Sequence, residues 1–337
     1  MSDKIKRLKK SLNTNEATVF FTLLFIIVLF SVINNYFFSL RNLFDLMRTM
    51  TIYMIFASGI MMVIINGGID MSFIANAMCA SYIIVKLALR YNYSGGIMLF
   101  LLGSLLLGLI IGFCNSLLIN IFEMPAFIIT LATANVIRGL TLNFVGNNHL
   151  IVSDLSPAIV EFSRMFLIRA VDSTSGASFG LDACFFIALA TMIITHFILR
   201  YTIIGRGVYA LGGDQVSASR IGYDLKKVRA FIFSYVGALS GLGGMIYVIQ
   251  TRMADPMQMT GTELNVVAAV VIGGVKITGG KGSVIGVFMG LMLTQVILTN
   301  LFMIGVPSYW QRLVYGCFVV MAIIYQTLQE RSRAKKI

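Results

Sequence analysis

Ten apolar runs partition this 337-residue chain, at 17–38, 49–66, 71–89, 95–122, 125–145, 182–203, 229–250, 262–276, 283–305 and 309–327. An α-helix rises about 1.5 Å per residue, so crossing a hydrocarbon layer ~30 Å thick takes about 20 apolar residues. Ten such runs use about 200 residues and leave short connections. The runs at 71–89 and 262–276 are short or flanked by glycine, which predicts broken or tilted helices. Only 12% of residues are charged and the mean hydropathy is +0.88. Soluble domains carry about a quarter. A water-soluble enzyme and a disordered scaffold are excluded. The predicted fold class is all-α, a polytopic membrane protein of about ten transmembrane helices.

The 26 basic residues outnumber the 14 acidic ones, for a net charge of +12. Their placement decides what that charge means. Lys4, Lys6, Arg7, Lys9 and Lys10 crowd the N-terminus; Arg200, Arg206, Arg220, Lys226, Lys227 and Arg229 share one loop; Arg331, Arg333, Lys335 and Lys336 close the chain. This is the bias that keeps basic segments cytoplasmic, and it argues against nucleic-acid binding. Two cytoplasmic termini demand an even number of spans. Ten spans put the 204–228 loop inside with its cations, and Lys276 and Lys281 with it. The 146–181 loop falls outside, where Asp154, Glu161 and Asp172 balance Arg164 and Arg169. Eight spans with two re-entrant segments satisfy the same parity. The organisation is therefore a basic cytoplasmic segment at 1–16, a transmembrane domain at 17–328 and a basic cytoplasmic tail at 329–337. The first run is too long for a signal-peptide core and no small-residue cleavage pattern follows it, so it is a retained span.

Cys79, Cys114, Cys184 and Cys317 stand singly in apolar stretches and read as small buried hydrophobes. His149 and His196 have no ligand partner at metal-binding spacing, and His196 reads as a hydrogen-bonded histidine inside the bundle. No metal site is expected. Glycines four apart, at Gly108/Gly112, Gly237/Gly241 and Gly282/Gly286/Gly290, put small residues on one helical stripe and predict close backbone packing. Gly279-Gly280-Lys281-Gly282-Ser283 imitates a phosphate loop, but Val275 stands where the first glycine is needed and Gly282 where a magnesium-binding hydroxyl is needed. It reads as a tight turn, and the chain carries no visible ATPase of its own.

In the 204–228 loop, Asp214 is placed to accept first-turn amides as an N-cap, and Gly222 to leave a helix in the left-handed C′ position. The two turns between carry Ala218 and Ile221 on one side. Such a helix suits a partner's groove, and equally it suits an ordinary amphipathic loop. Within the apolar runs, Asp70 and Ser72 follow Asn66-Gly67-Gly68, Glu263 and Asn265 open the eighth span, and Arg138 lies in the fifth. None forms an obvious acid–base pair. Asp70 reads as the cap of the next helix or as a ligand group. An ion-coupled carrier needs more polar interior than this, so the energy for any transport comes from outside the chain.

Taken together, these residues resemble the ribose-type permeases of the branched-chain/ribose superfamily, membrane subunits of bacterial ABC importers, over about residues 45–328. Gly67-Gly68-Ile69-Asp70-Met71-Ser72 is similar to the family's GGIDLS, and Pro125 to Thr133 with Arg138-Gly139 to its PxFIxTL…RG. Gly205 to Gly213 resembles GRxxYAxGG. Gly261-Thr262-Glu263-Leu264, Ala268 to Gly274 and Gly279 to Ser283 match the C-terminal signature. Phe73-Ile74-Ala75 departs from the family's Val-Gly-Ser and stiffens the start of the third span.

The resemblance implies a permease subunit in the bacterial cytoplasmic (inner) membrane that moves a sugar or sugar-like neutral solute by alternating access. It implies a second permease chain, identical or related, two cytoplasmic ATPase subunits that hold the ATP and magnesium, and a periplasmic or lipid-anchored solute-binding protein. No cofactor is implied in this chain. By the same resemblance Gly212, Gly213, Asp214, Ala218, Ser219, Arg220, Ile221 and Gly222 form the ATPase-coupling segment. Asp70, Phe127, Thr130, Thr133 and Asn135 are candidates for lining the pathway; the Thr and Asn side chains equally serve to join helices. The alternative is an ion-gradient-driven secondary transporter, which inverted repeats would favour. No repeat is visible in the sequence. An intramembrane enzyme would need a nucleophile–base pair or a metal, and none can be assembled.

Overall fold

Helix starts in this chain are marked by short polar side chains. In the computed structural model, which describes residues 15–171 and 178–334, six of them accept a hydrogen bond from a first-turn amide. Ser39 caps α2 (Leu40–Ile65), Asp182 caps α7 (Ala183–Tyr201) and Thr202 caps α8 (Ile203–Gly213). Asp214, Asp224 and Ser283 do the same for α9 (Gln215–Arg220), α10 (Leu225–Thr251) and α12 (Val284–Met303). Each satisfies a donor that a helix leaves unpaired, which matters most where water is scarce. The remaining helices are α1 (Asn15–Ile33), α3 (Phe73–Arg90), α4 (Met98–Phe122), α5 (Ala126–Leu140, prolonged by a π-turn to Val145), α6 (Pro157–Phe162), α11 (Glu263–Ile272) and α13 (Ser308–Ala334).

Among the described residues eight helices are long and apolar enough to cross a membrane: α1 to α5, α7, α10 and α12. The expected tenth run, 309–327, lies within α13. Two expectations need correction. The run at 262–276 is a ten-residue helix followed by a turn through Gly274, Gly279 and Gly280, all at positive φ, so it does not cross by itself. The second span starts at Leu40 rather than 49, because Arg41, Asp45 and Arg48 break the hydropathy without breaking the helix. The 146–181 loop carries one short hairpin, in which β1 (Phe166–Val171) pairs antiparallel with β2 (Ser178–Asp182); the fold is otherwise helical, as expected. Lys4, Lys6, Arg7, Lys9, Lys10, Asp172, Lys335 and Lys336 lie outside the described residues.

The core is α2 against α10. They run antiparallel, with Gly59 facing Val236 and Phe56 facing Gly243, and α2 is buried almost throughout from Met50 to Ile65. Glycines bring the other helices to α10 backbone to backbone. A first side-chain carbon on Gly108 would lie 2.8 Å from the Gly241 nitrogen, one on Gly112 2.8 Å from the Gly237 Cα, and one on Gly244 3.0 Å from the Ala77 Cα. Gly290 closes on Gly273 in the same way and binds α12 to α11. Lipid tails are as apolar as leucine, so this close approach supplies the dispersion contact that holds the helices together.

The packing order repeats. Helix α3 packs on α10 as α11 packs on α2; α4 packs on α10 as α12 packs on α2; α3 meets α4 and α5 as α11 meets α12 and α13. With α2 and α10 antiparallel at the centre, α2–α5 and α10–α13 form two inverted halves. The sequence shows no repeat because this one is of packing rather than of residues. Such halves occur across transporters, so they do not by themselves favour an ion-driven carrier.

Replacing Gly108 by valine should block the α4–α10 approach and cost about 3 kcal/mol or more, as overpacking does. Gly139→Ala, with nothing within 4 Å of the new carbon, should stay within about 0.5 kcal/mol. Thermal unfolding of both purified variants in one detergent checks the contrast.

Candidate functional site

Helix α8 ends against two other parts of the molecule. Gly212 leaves no room for a side chain: a first carbon there would lie 2.6 Å from the Gly280 nitrogen and 2.9 Å from the Ile65 carbonyl carbon. The Gly280 N–H donates to the Ile65 carbonyl at 2.8 Å, and the Tyr209 hydroxyl donates to the Gly282 carbonyl at 2.8 Å. The end of α2, the α11–α12 turn and the end of α8 therefore meet at one point.

From that junction α9 projects. The Asp214 carboxylate accepts from the Val216 and Ser217 amides and from the Ser217 hydroxyl. The Ser217 hydroxyl above all, with the two amides, holds the Asp214 carboxyl below the usual carboxylate range. A depressed native pKa keeps the cap charged further into the acid range, and its contribution is lost as pH falls through that lowered value. At the other end Gly222, at φ 95°, donates to the Ser219 carbonyl while Tyr223 donates to Ala218. This is a complete Schellman exit. Arg229 donates to the Gln215 side chain at 2.7 Å and ties α9 to α10.

The two apolar residues of α9 part company. Ala218 is 2% exposed and packs inward, whereas Ile221 is 72% exposed. Ile221 is the C-cap residue with non-helical backbone angles, so the three-residue spacing no longer puts it beside Ala218. The outward face is instead Val216, at 60% exposure, with Ser217, Ser219, Arg220 and Ile221.

Deeper in the bundle, the break between α2 and α3 is sewn shut. Asp70 accepts from the Ser72 amide at 2.6 Å and the Ser72 hydroxyl at 2.7 Å; Asn115 of α4 donates to Ser72 at 2.8 Å. The Met71 amide donates to Thr130 of α5 at 3.0 Å. Asp70 and Thr130 are both buried and fully engaged within the chain. Thr133 is half-buried, donating to the Thr130 carbonyl, while Phe127 and Asn135 lie on the exposed face of α5. The five candidate lining residues thus divide between a sealed seam and an open wall.

Sequence reasoning missed one contact. Arg138 of α5 forms an ion pair with Glu263 at the start of α11, both side chains largely buried. This corrects the reading that the intramembrane charges are unpaired: 125 residues separate the partners, so no local pattern reveals them. The pair joins one half of the fold to the other. At the end opposite α9, Arg48 and Gln250 converge on the buried Asp182, and His149 reaches Asp255 at 3.0 Å. His149 meets Asp255 because the loop folds back on the end of α10 through a Leu150–Ala254 bridge; this is a contact between two side chains and not a metal-ligand set. His196 makes no hydrogen bond among the described residues. Cys79 and Cys184 are buried as expected; Cys114 and Cys317 are exposed on the outside of the bundle.

Two inverted halves built largely of membrane-length helices, with a capped polar helix presented at one end, define a multi-pass membrane transport subunit. Residues 42–323 match the family described as "Branched-chain amino acid transport system / permease component", and the chain belongs to that family. It is 29% identical to the ribose import permease protein RbsC of Haemophilus influenzae over 314 residues, covering 92% of each chain. RbsC of Bacillus subtilis is 29% identical over 313 residues, 90% of each. The autoinducer 2 import system permease protein LsrC of Salmonella typhi is 26% identical over 330 residues, 96% of this chain and 90% of its own. No solved structure matches the chain.

Removing one partner of the buried ion pair leaves the other uncompensated, at about 3–5 kcal/mol. Arg138→Ala should therefore lower the unfolding midpoint strongly, and Arg138→Ala with Glu263→Ala should recover most of the loss. A loss in the double variant equal to the sum of the losses in Arg138→Ala and Glu263→Ala would show that the pair contributes nothing.

Proposed function

We propose that this chain is the permease of an ATP-driven importer for a sugar or sugar-like neutral solute, working by alternating access. Its relatives' names support the substrate class: two are ribose import permeases and one an autoinducer 2 import permease. The energetics of the interior agree. The buried acids Asp70, Glu263, Asp182 and Asp255 each accept hydrogen bonds or pair with a cation inside the chain, which leaves hydroxyl, amide and aromatic groups to meet a solute. A neutral polyol asks for no more.

The observation that carries the reading is the geometry of α9. Its outward face of Val216, Arg220 and Ile221 is free, while its base is joined through Gly212 to α2 in one half and to the α11–α12 turn in the other. A partner that grips α9 pulls on both halves at once. We assign the grip to cytoplasmic ATPase subunits, which hold the ATP and magnesium. The 204–228 loop and both termini are then cytoplasmic, and the 146–181 loop faces a periplasmic or lipid-anchored binding protein. A second permease chain, identical or related, completes the pathway against the exposed face of α5, where Phe127 and Asn135 stand open.

The test uses uptake of labelled ribose with the ion gradient collapsed and ATP preserved. Uptake should continue in the wild type, and Arg220→Glu or Ile221→Asp should lower it at least tenfold (about 1.4 kcal/mol or more in coupling) with the chain still inserted. Ala218→Asp is a poor probe, since it buries a charge under α9. Normal uptake by both surface variants would refute the coupling role, and uptake lost with the gradient would favour an ion-driven carrier.

A further inference from the structure

On the outside of the bundle, α7 and α12 leave a groove between them. Its deeper part, about 320 Å³, is walled by Leu189, Met192, Ile193, Ile285 and Phe288. It opens into a second cavity of about 260 Å³ near the α9 end, bounded by His196, Arg200, Tyr209 and Ser283. His196 and Val284 line both, so the two cavities adjoin, one apolar and the other more polar. Leu189 and Arg200 are eleven residues apart on α7, about 16 Å at 1.5 Å per residue, close to the ~15 Å depth of one leaflet's hydrocarbon.

We propose that this groove binds an anionic phospholipid, its phosphodiester at Arg200 and His196 and one acyl chain along the apolar wall. The donors are free for it. Arg200 has no carboxylate partner among the described residues and lies over the Tyr201 ring, while His196 is half-buried and makes no hydrogen bond among them. The Tyr209 and Ser283 hydroxyls are already committed, to the Gly282 carbonyl and to the Glu16 carboxylate; that carboxylate sits at the Ser283 side of the groove and forms no ion pair with Arg200, so the phosphodiester is placed on the α7 side. A soluble partner cannot reach a groove that runs along two membrane-length helices. A choline or ethanolamine headgroup would bring a second cation toward Arg200; an anionic headgroup brings none. The site rests on the orientation proposed above only for which leaflet supplies the lipid.

The full chain is placed in phosphatidylcholine vesicles doped in both leaflets with a phosphatidylglycerol carrying a mid-chain photoreactive diazirine. Label should concentrate on peptides containing 189–196 and 284–288, and unlabelled phosphatidylglycerol should compete while phosphatidylcholine does not. Arg200→Glu should cut the label about tenfold. Ile193→Trp, which fills the groove and keeps the headgroup donors, should cut it as well. Label spread evenly over the exposed faces of α1 and α4, equal competition by phosphatidylcholine, or unchanged labelling of both variants would overturn the proposal. So would displacement of the label by the ATPase partner, which would make the groove a protein interface. The readout is independent of transport, so a failed uptake assay and a failed lipid site remain separate results.

Discussion

Backbone contact at α10 is the constraint on which the rest depends. In hydrocarbon no water is released when helices meet, so association needs atoms at van der Waals distance over a long stripe. Gly108, Gly112, Gly237, Gly241 and Gly244 provide that stripe by removing the carbons that would hold α3 and α4 away. Once α4 is seated, Asn115 is brought opposite Ser72 and the α2–α3 break can close. A glycine pattern that looks like mere packing thus determines where the polar seam lies.

The few polar groups then act as fasteners. Asp182, Asp214 and Asp224 cap helices, Asp70 holds the α2–α3 turn, and Glu263 is matched to Arg138. The buried ones, Asp70, Asp182 and Glu263, would be costly unpaired at low dielectric. Their engagement explains how a chain with 14 acidic residues keeps a charge-poor interior without orphaned carboxylates, and why a neutral solute suits it.

The junction of Gly212, Ile65 and Gly280 gives the proposed function its mechanical form. Rigid contact between backbones transmits displacement with little loss, because no side-chain rotamer can absorb it. The Tyr209 hydroxyl adds a second tie to the same turn. The ion pair between Arg138 and Glu263 joins the two halves at a second place.

Hydropathy and capping determined much of this protein before any folding was considered. The membrane class, most of the spans, the glycine stripes and the Asp214–Gly222 helix all follow from interactions within a few residues of one another, since lipid and the backbone act locally. What tertiary structure alone decided depends on partners far apart in sequence. Arg138 met Glu263, Gly212 met Ile65 and Gly280, Thr130 turned from an open hydroxyl into a buried clasp, and Ile221 separated from Ala218 at a cap. The inverted halves belong with these, because helices can repeat a packing order without repeating a residue. Short-range energetics writes itself into sequence patterns; long-range pairing exists only once the chain has closed on itself.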